Sequence, residues 1–492
     1  MNTIIRRVDA LLNSLTMYRL LLYGLAALLF LAALLGFAGV LPISGAGIVA
    51  VTTVLLISSY ASNKLLGRLY QATTNSESYL ITALILALIL PPSTDPKKLF
   101  YIAFAGMIAA ASKFILSYRH KHIFNPAAVA AVVVSLLGLV SVTWWIGNPT
   151  MLPFVVLFGL LIIRKIHRFK MVIAFMLASI AMLVLVGLVG GLQTSTLIKN
   201  AVISGPLIFM ATVMLTEPTT MPSKHYYQIL YGLLVGSMYT AQLRFGLLST
   251  SPHMVLLVGN VFAYIVNPKI KSTMRLKEKV QISPRVFDFI FLPDKRFDFI
   301  PGQYMEFTLK HTKEDLRGNR RSFTIASSPT EAEIHLGVKF YEPSSSFKHT
   351  LQAMQPGDRI DAGQLSGNFL LPADAHKKLV FIAGGVGITP FRSMVKYLTD
   401  TKEQRDITLF YNVNKEEELA YAEVFKAYPG LQYIPVVGAK VSARVLSSNV
   451  DTNSDCLYYI SGPNGLVELY RRMLRHSGVP ATHIITDYFS GY

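Results

Sequence analysis

The sequence predicts a multi-domain fold: a polytopic α-helical membrane domain, then a small antiparallel β-barrel, then a doubly wound α/β domain. Three observations carry that expectation. Hydrophobic residues make up 52% of the 492 and charged residues 15%, with the apolar ones concentrated before residue 270 and most charge after it. From Lys279 the chain changes to short runs that alternate polar and apolar residues, the period of half-buried strands. From Lys378 strands alternate with helical stretches, the pattern of a parallel sheet wrapped on both faces. The expected boundaries are 1–270, 271–375 and 376–492, in line with the two or three domains that this length implies.

Charge and cysteine content narrow the function classes. Lys+Arg 46 against Asp+Glu 28 gives a formal +18. Many of those cations lie in loops between apolar spans, as cytoplasmic loops of membrane proteins do, so a nucleic-acid partner is not expected. Cys456 is the single cysteine. An internal disulfide, a cysteine-ligated iron–sulfur cluster and a structural zinc site of several cysteines are therefore excluded, and no metal ligand set is assigned. Arg6 and Arg7 precede the first apolar run without a small-residue cleavage site, which reads as a retained span rather than a signal peptide.

Ten apolar segments can be counted, at 20–40, 47–60, 79–90, 99–116, 127–146, 151–163, 171–192, 201–215, 226–239 and 254–266. Several fall short of the ~20 residues a bilayer needs, so those helices must borrow flanking residues or break within the membrane. Arg6, Arg7 and Arg19; Lys64 and Arg68; Arg119 and Lys121; Arg164, Lys165, Arg168 and Lys170; Lys224; and Lys269 to Lys279 fall on alternate sides. The positive-inside rule makes those sides cytoplasmic and both termini with them, giving a multi-pass protein of the cell inner membrane. Pro91-Pro92-Ser93-Thr94-Asp95-Pro96 ends the third segment as Thr216-Glu217-Pro218-Thr219-Thr220-Met221-Pro222 ends the eighth. An offset of five spans would invert the two halves, and inverted repeats place sites near the midplane. Asn125-Pro126 reads as a helix cap and first turn, hence an N-terminus able to attract a phosphate.

These residues carry a resemblance. Ser76-Glu77-Ser78-Tyr79-Leu80-Ile81-Thr82, Pro91-Pro92, His122-Ile123-Phe124-Asn125-Pro126 and Thr216-Glu217-Pro218 resemble the flavin-binding membrane subunits of the sodium-translocating NADH:quinone reductase and of the Rnf complex. The resemblance covers most of residues 15–268 and implies ten spans and a flavin, FMN or riboflavin, in the membrane domain. That family esterifies FMN to the threonine of a Ser-Gly-Ala-Thr motif. Here the region reads Gln193-Thr194-Ser195-Thr196-Leu197, which argues against the covalent bond and leaves Thr194 or Thr196 to face a flavin held without one. Haem is the other membrane electron carrier, and ferric reductases need histidines within spans to ligate it. His120, His122, His167, His225 and His253 all fall at span ends or in loops, which disfavours haem.

In the second half, strands are expected at 280–291, 304–309, 322–326 and 333–340, with turns at Pro301-Gly302 and Gln355-Pro356-Gly357-Asp358. Alternation across Arg321-Ser322-Phe323-Thr324 puts Arg321 and Phe323 on one strand face. A guanidinium fork suits a pyrophosphate and an aromatic plate suits a flat ring. Further on, the expected order is strand 379–383, helix 390–398, strand 407–411, helix 416–427, strands 433–437 and 458–461, and helix 466–476. Gly384-Gly385-Val386-Gly387-Ile388-Thr389-Pro390 lies between the first strand and helix. There glycines let the backbone approach a phosphate at a helix N-terminus.

Together the two motifs resemble the ferredoxin-NADP reductase superfamily over nearly all of residues 275–492. The resemblance implies that Arg321 pairs with the FAD pyrophosphate, that Ser322 and Phe323 line the flavin, and that Thr324 hydrogen-bonds near its N5. Ser345-Ser346-Phe347 takes the second phosphate contact. Gly384, Gly385, Gly387, Thr389 and Pro390 form the NAD(P)H loop. Ser461-Gly462-Pro463 matches a Cys-Gly-Pro turn beside the nicotinamide, with serine for cysteine. Thr324 and Ser461 are the candidate catalytic residues, and Phe489 and Tyr492 match an aromatic tail over the flavin. Lys415-Glu416 after the second strand leaves NADH against NADPH open.

The expected reaction passes electrons from NAD(P)H through FAD to a membrane acceptor, a second flavin or a quinone. The relatives' reductase subunit interposes a [2Fe-2S] domain that Cys456 alone cannot hold, so transfer is direct or through a partner electron-transfer protein. The rival readings are a haem-type transmembrane ferric reductase and a redox-driven sodium or proton transporter using Glu77, Asp95 or Glu217.

Overall fold

The computed structural model describes residues 8, 12, 15–70, 76–118, 121–240, 244–245, 248–249, 251–266, 271–311, 314–315, 318–450 and 455–489. Tyr492, Arg6, Arg7, Arg119, His120 and Lys269 lie outside the described residues. The chain divides into two compact units, 1–269 and 270–492.

The first unit is helical. By length and composition four helices suit a membrane span: α1 (Met17–Phe37), α2 (Gly45–Leu69), α4 (Pro96–Ile115) and α7 (Phe169–Gly190). Between them lie α3 (Ser76–Ile89), α5 (Pro126–Leu136) and α6 (Leu152–Ile166). A fifth candidate is the pair α8 (Thr194–Ser204) and α9 (Leu207–Met214), bent by 62°. Proline at the break between them, Gly205-Pro206, cannot donate into a continuous helical ladder. Helices α10 (His225–Thr240) and α11 (Pro252–Val266) complete the unit. All ten apolar segments thus contain helix, but only four of the described helices, or five with the bent pair, reach spanning length.

The fifth segment shows why length alone misleads. Helix α5 stops at Leu136, and Gly138 follows in the left-handed region at φ +64, a common way to end a helix. The irregular chain beyond it buries Val140 and Trp144 to Ile146, and several of its N–H groups are used. The N–H groups of Thr143 and Trp144 donate to Ile89 O at 3.0 and 2.9 Å, and Trp145 Nε1 donates to Ala87 O at 2.8 Å. Those carbonyls are the orphaned end of α3, so one interrupted helix caps another. Asn125 caps α5 by accepting the Ala128 N–H, while its own N–H donates to Asn260 Oδ1 at 2.8 Å. The anion beside this helix N-terminus belongs to the chain itself: Asn125 Nδ2 donates to Glu217 Oε2 at 2.8 Å, and Thr219 and Thr220 donate to the same carboxylate.

The second unit has two sheets. The first is antiparallel and curled, from β1 (Lys271–Ser283), β2 (Val286–Pro293), β3 (Tyr304–Thr308), β4 (Arg320–Thr324), β5 (Ile334–Lys339) and β6 (Arg359–Ser366), in the order β4-β3-β6-β1-β2-β5. The single strand expected at 280–291 is a hairpin turning at Pro284-Arg285, with Ser283 opposite Val286. The first arm is apolar on alternate residues and the second, VFDFIFLP, is apolar almost throughout, so no break in the apolar pattern marks the turn. Helix α12 (Ser346–Ala353) plugs the sheet with buried Phe347 and Leu351. The second sheet is parallel, from β7 (Leu379–Gly384), β8 (Ile407–Val413), β9 (Leu431–Val437), β10 (Leu457–Pro463) and β11 (Ile484–Phe489), ordered β9-β8-β7-β10-β11. Helices α13 (Thr389–Thr401), α14 (Ala422–Lys426), α15 (Ala443–Asn449) and α16 (Asn464–His476) connect its strands. The helix expected at 416–427 is a 3-10 turn at Glu416–Glu418 followed by the short α14.

Candidate functional site

Strand β4 pairs with β3, setting Phe307 opposite Arg321, Met305 opposite Phe323 and Tyr304 opposite Thr324. Arg321 is buried, and its Nη1 donates to Arg320 O at 2.7 Å and Gly318 O at 3.2 Å. Its guanidinium lies over the Phe347 ring at 5.4 Å, and the Phe323 ring stands 5.9 Å from the same ring. Both side chains therefore meet α12 on one face of β4, as alternation requires. Ser345 caps α12 by accepting the Lys348 N–H. Ser346 turns the other way: its N–H donates to Asp315 Oδ2 at 3.0 Å and its Oγ accepts the Asp315 N–H at 3.0 Å. Arg321 Nη2 stands 3.6 Å from Asp315 Oδ1. Ser322 is exposed, whereas Thr324 is buried and, among the described residues, its Oγ1 has no hydrogen-bond partner.

The second cluster sits where β7 and β10 end side by side, Ala383 beside Ser461. Gly384 closes β7, Gly385 to Ile388 form a 3-10 turn, and α13 begins at Thr389-Pro390, whose threonine Oγ1 donates back to Val386 O. Gly387 is packed against the next turn. A Cβ there would meet Ser461 O at 2.4 Å and Gly462 Cα at 2.6 Å, both backbone atoms that cannot swing aside. Gly387→Ala is therefore expected to push the two turns apart and raise the KM for the NAD(P)H that the motif implies about tenfold or more, a loss of about 1.4 kcal/mol in binding. Steady-state kinetics on the purified variant reads this, and an unchanged KM would remove Gly387 from the loop's function. Ser461 is buried, and its Oγ too has no partner. Strand β11 runs beside Ser461-Gly462-Pro463, pairing them with Asp487, Tyr488 and Phe489. Loss of hydration pushes the Asp487 carboxyl up to about 7, although the residue as a whole stays half-buried.

Sequence reading missed what joins these clusters. Arg392, in the second turn of α13, donates to Ala326 O at 3.0 Å just beyond β4, and its two Nη groups engage both oxygens of Glu331. Ser393 Oγ donates to Ser327 O at 2.6 Å. Burial works against the guanidinium's charge, but the Glu331 hydrogen bonds and charge outweigh it and hold the Arg392 pKa above its usual value. Tyr421 packs over Arg392 at 5.7 Å, its hydroxyl raised well above the usual tyrosine range by burial and then by Asp288. No local pattern announces contacts 61 to 66 residues apart.

Comparison with known proteins follows the same region. The flavohem-like FAD/NAD binding domain of nitric oxide dioxygenase from Vibrio cholerae O1 biovar El Tor aligns with TM-score 0.39 and 20% identity, over 44% of this chain and 98% of that one. Methane monooxygenase component C of Methylosinus trichosporium is 28% identical over 146 residues, 30% of this chain and 41% of its own length. Terephthalate 1,2-dioxygenase reductase component 1 of Comamonas sp. is 28% identical over 211 residues, 40% of this chain and 61% of its own. The chain spans about half the length of the curated relatives it matches. Residues 381–472 match the family described as oxidoreductase NAD-binding domain. The likeness of this chain to known proteins thus lies in its C-terminal region, where residues 381–472 match an oxidoreductase NAD-binding domain.

Proposed function

We propose that this chain is a membrane-bound, NAD(P)H-dependent flavin oxidoreductase that delivers electrons to an acceptor in or at the membrane. The observation that carries the reading is a pair of buried hydroxyls without partners among the described residues, Thr324 Oγ1 and Ser461 Oγ. An unpaired buried hydroxyl costs about 1–3 kcal/mol, so each fits a ligand that supplies a partner. Both stand at positions which the two motifs assign to the flavin and the nicotinamide. FAD, when bound, supplies hydride acceptance at N5 and release of electrons one at a time.

The chain's own residues do the rest. Arg321 and the Ser346 N–H hold the diphosphate, Phe323 packs on the flat ring, and Thr324 donates to its polar edge. Gly384, Gly385, Gly387, Thr389 and Pro390 admit the phosphates of NAD(P)H to the start of α13. Ser461-Gly462-Pro463 borders the nicotinamide, and the aromatic-tail resemblance assigns Phe489 and Tyr492 to the flavin. Residues 271–375 would bind FAD, 376–492 NAD(P)H, and 1–270 would form the membrane domain of an inner-membrane protein with both termini cytoplasmic. The ten-span arrangement of the sodium-translocating reductase and Rnf membrane proteins is our reading of the sequence there; four long apolar helices, or five with the bent pair, support a membrane domain. A quinone or a second flavin in that domain takes the electrons. The relatives named as reductase components of oxygenases make a separate electron-accepting protein the alternative outlet.

Purified protein is expected to release FAD on acid extraction and to show only flavin bleaching in a spectrum taken after NAD(P)H addition. Haem Soret and alpha bands in that difference spectrum would replace this reading with a haem-type reductase.

A further inference from the structure

Asp315 lies in the connection between β3 and β4, and its carboxylate makes the contacts of a small anion. Oδ2 accepts the Ser346 N–H at 3.0 Å at the first turn of α12, where a helix favours negative charge. Oδ1 stands 3.6 Å from Arg321 Nη2. The connection is pinned there from both sides: the Asp315 N–H donates to Ser346 Oγ at 3.0 Å, and His311 Nε2 lies 2.9 Å from the same hydroxyl. Gly318 O, in the same connection, takes a further Arg321 hydrogen bond at 3.2 Å.

We propose that Asp315 is an internal stand-in for the cofactor's diphosphate, and that it sets how tightly and how fast the unit takes up FAD. The inference rests on the flavin reading above. A carboxylate that accepts the helix N–H and pairs with the guanidinium charge competes with any phosphate that needs the same two groups. The diphosphate carries more charge and more acceptor oxygens and wins the exchange, but its net affinity is lowered by what the carboxylate contributed. The Asp315 side chain is 33% exposed against 5% for Arg321, so the competitor is the partner that can swing out into solvent.

The test is FAD titration of full-length protein in detergent after removal of bound flavin, read by flavin fluorescence for Kd and by stopped flow for the association rate. Asp315→Asn keeps the shape and removes the charge; Asp315→Ala removes both. Each is expected to tighten FAD roughly tenfold, equivalent to about 1.4 kcal/mol, and to raise the association rate. Glu423→Gln, an exposed acid on α14, should change neither, which separates a local effect from net charge. Equal or weaker FAD binding by the Asn variant would overturn the proposal and make Asp315 a support for Arg321 instead. Failure of the unaltered protein to take up FAD at all would overturn the flavin reading and this inference with it, a result distinguishable from the first.

Discussion

Arg321→Ala is expected to abolish flavin retention. Arg321 is 6% exposed, so its charge sits where little water competes, and hydrogen bonds to a charged group there contribute about 1.5–3 kcal/mol each. Two such bonds to a diphosphate amount to roughly 3–6 kcal/mol, a loss of two to four orders of magnitude in Kd. Arg321→Lys keeps the charge but loses the fork and the planar contact with Phe347, so it should fall between. The measurement is flavin content after gel filtration, with Kd by titration and thermal stability beside it. Truncation also removes packing against Phe347 at 5.4 Å, so the variant should melt somewhat lower even without FAD. Stoichiometric FAD in the purified Ala variant would show that the guanidinium does not hold the cofactor.

What could be read in the sequence was local. The period of two across Arg321 to Thr324 places Arg321 and Phe323 on one face, and the structure has both against Phe347. The glycine turn after 379–383 falls between β7 and α13 because glycine, threonine and proline at a strand–helix junction have few other uses. What failed was set by distant partners. Helix was expected through residue 146, but it stops at Leu136 because the chain beyond serves the carbonyls of α3, with Trp145 reaching one that lies 58 residues earlier. Nothing in the sequence signals that the Asn125 side chain donates to Glu217, 92 residues away. The hairpin at Pro284-Arg285 lacks the Asn-Gly or Asp-Gly pair that marks tight turns, so two strands read as one. The role of Asp315 was invisible for the same reason: an aspartate in a loop has no signature until its neighbours are known.

The Arg392–Glu331 clamp yields the second large effect. Arg392 reaches from α13, which follows the nucleotide loop, to Glu331 and Ala326 O, which follow β4. Their side chains are 8% and 19% exposed, a setting in which removing one partner strands the other and costs about 3–5 kcal/mol. For a unit of this size that corresponds to a fall in Tm of roughly 10 °C. Arg392→Ala and Glu331→Ala should each show it, and the double variant should be no worse than either, because the penalty belongs to the pair. Stability and function then separate. Combining Arg392→Met with Glu331→Leu removes both charges, keeps the buried volume filled and should recover most of the Tm. It cannot restore the hydrogen bond to Ala326 O, which fixes the end of β4 against α13. Single-turnover reduction by NAD(P)H should therefore stay slow in the apolar double variant while its melting temperature recovers, since a small misplacement of reacting groups is costly. Recovery of both together would make the clamp a matter of stability alone, and an unchanged Tm in Arg392→Ala would deny it even that.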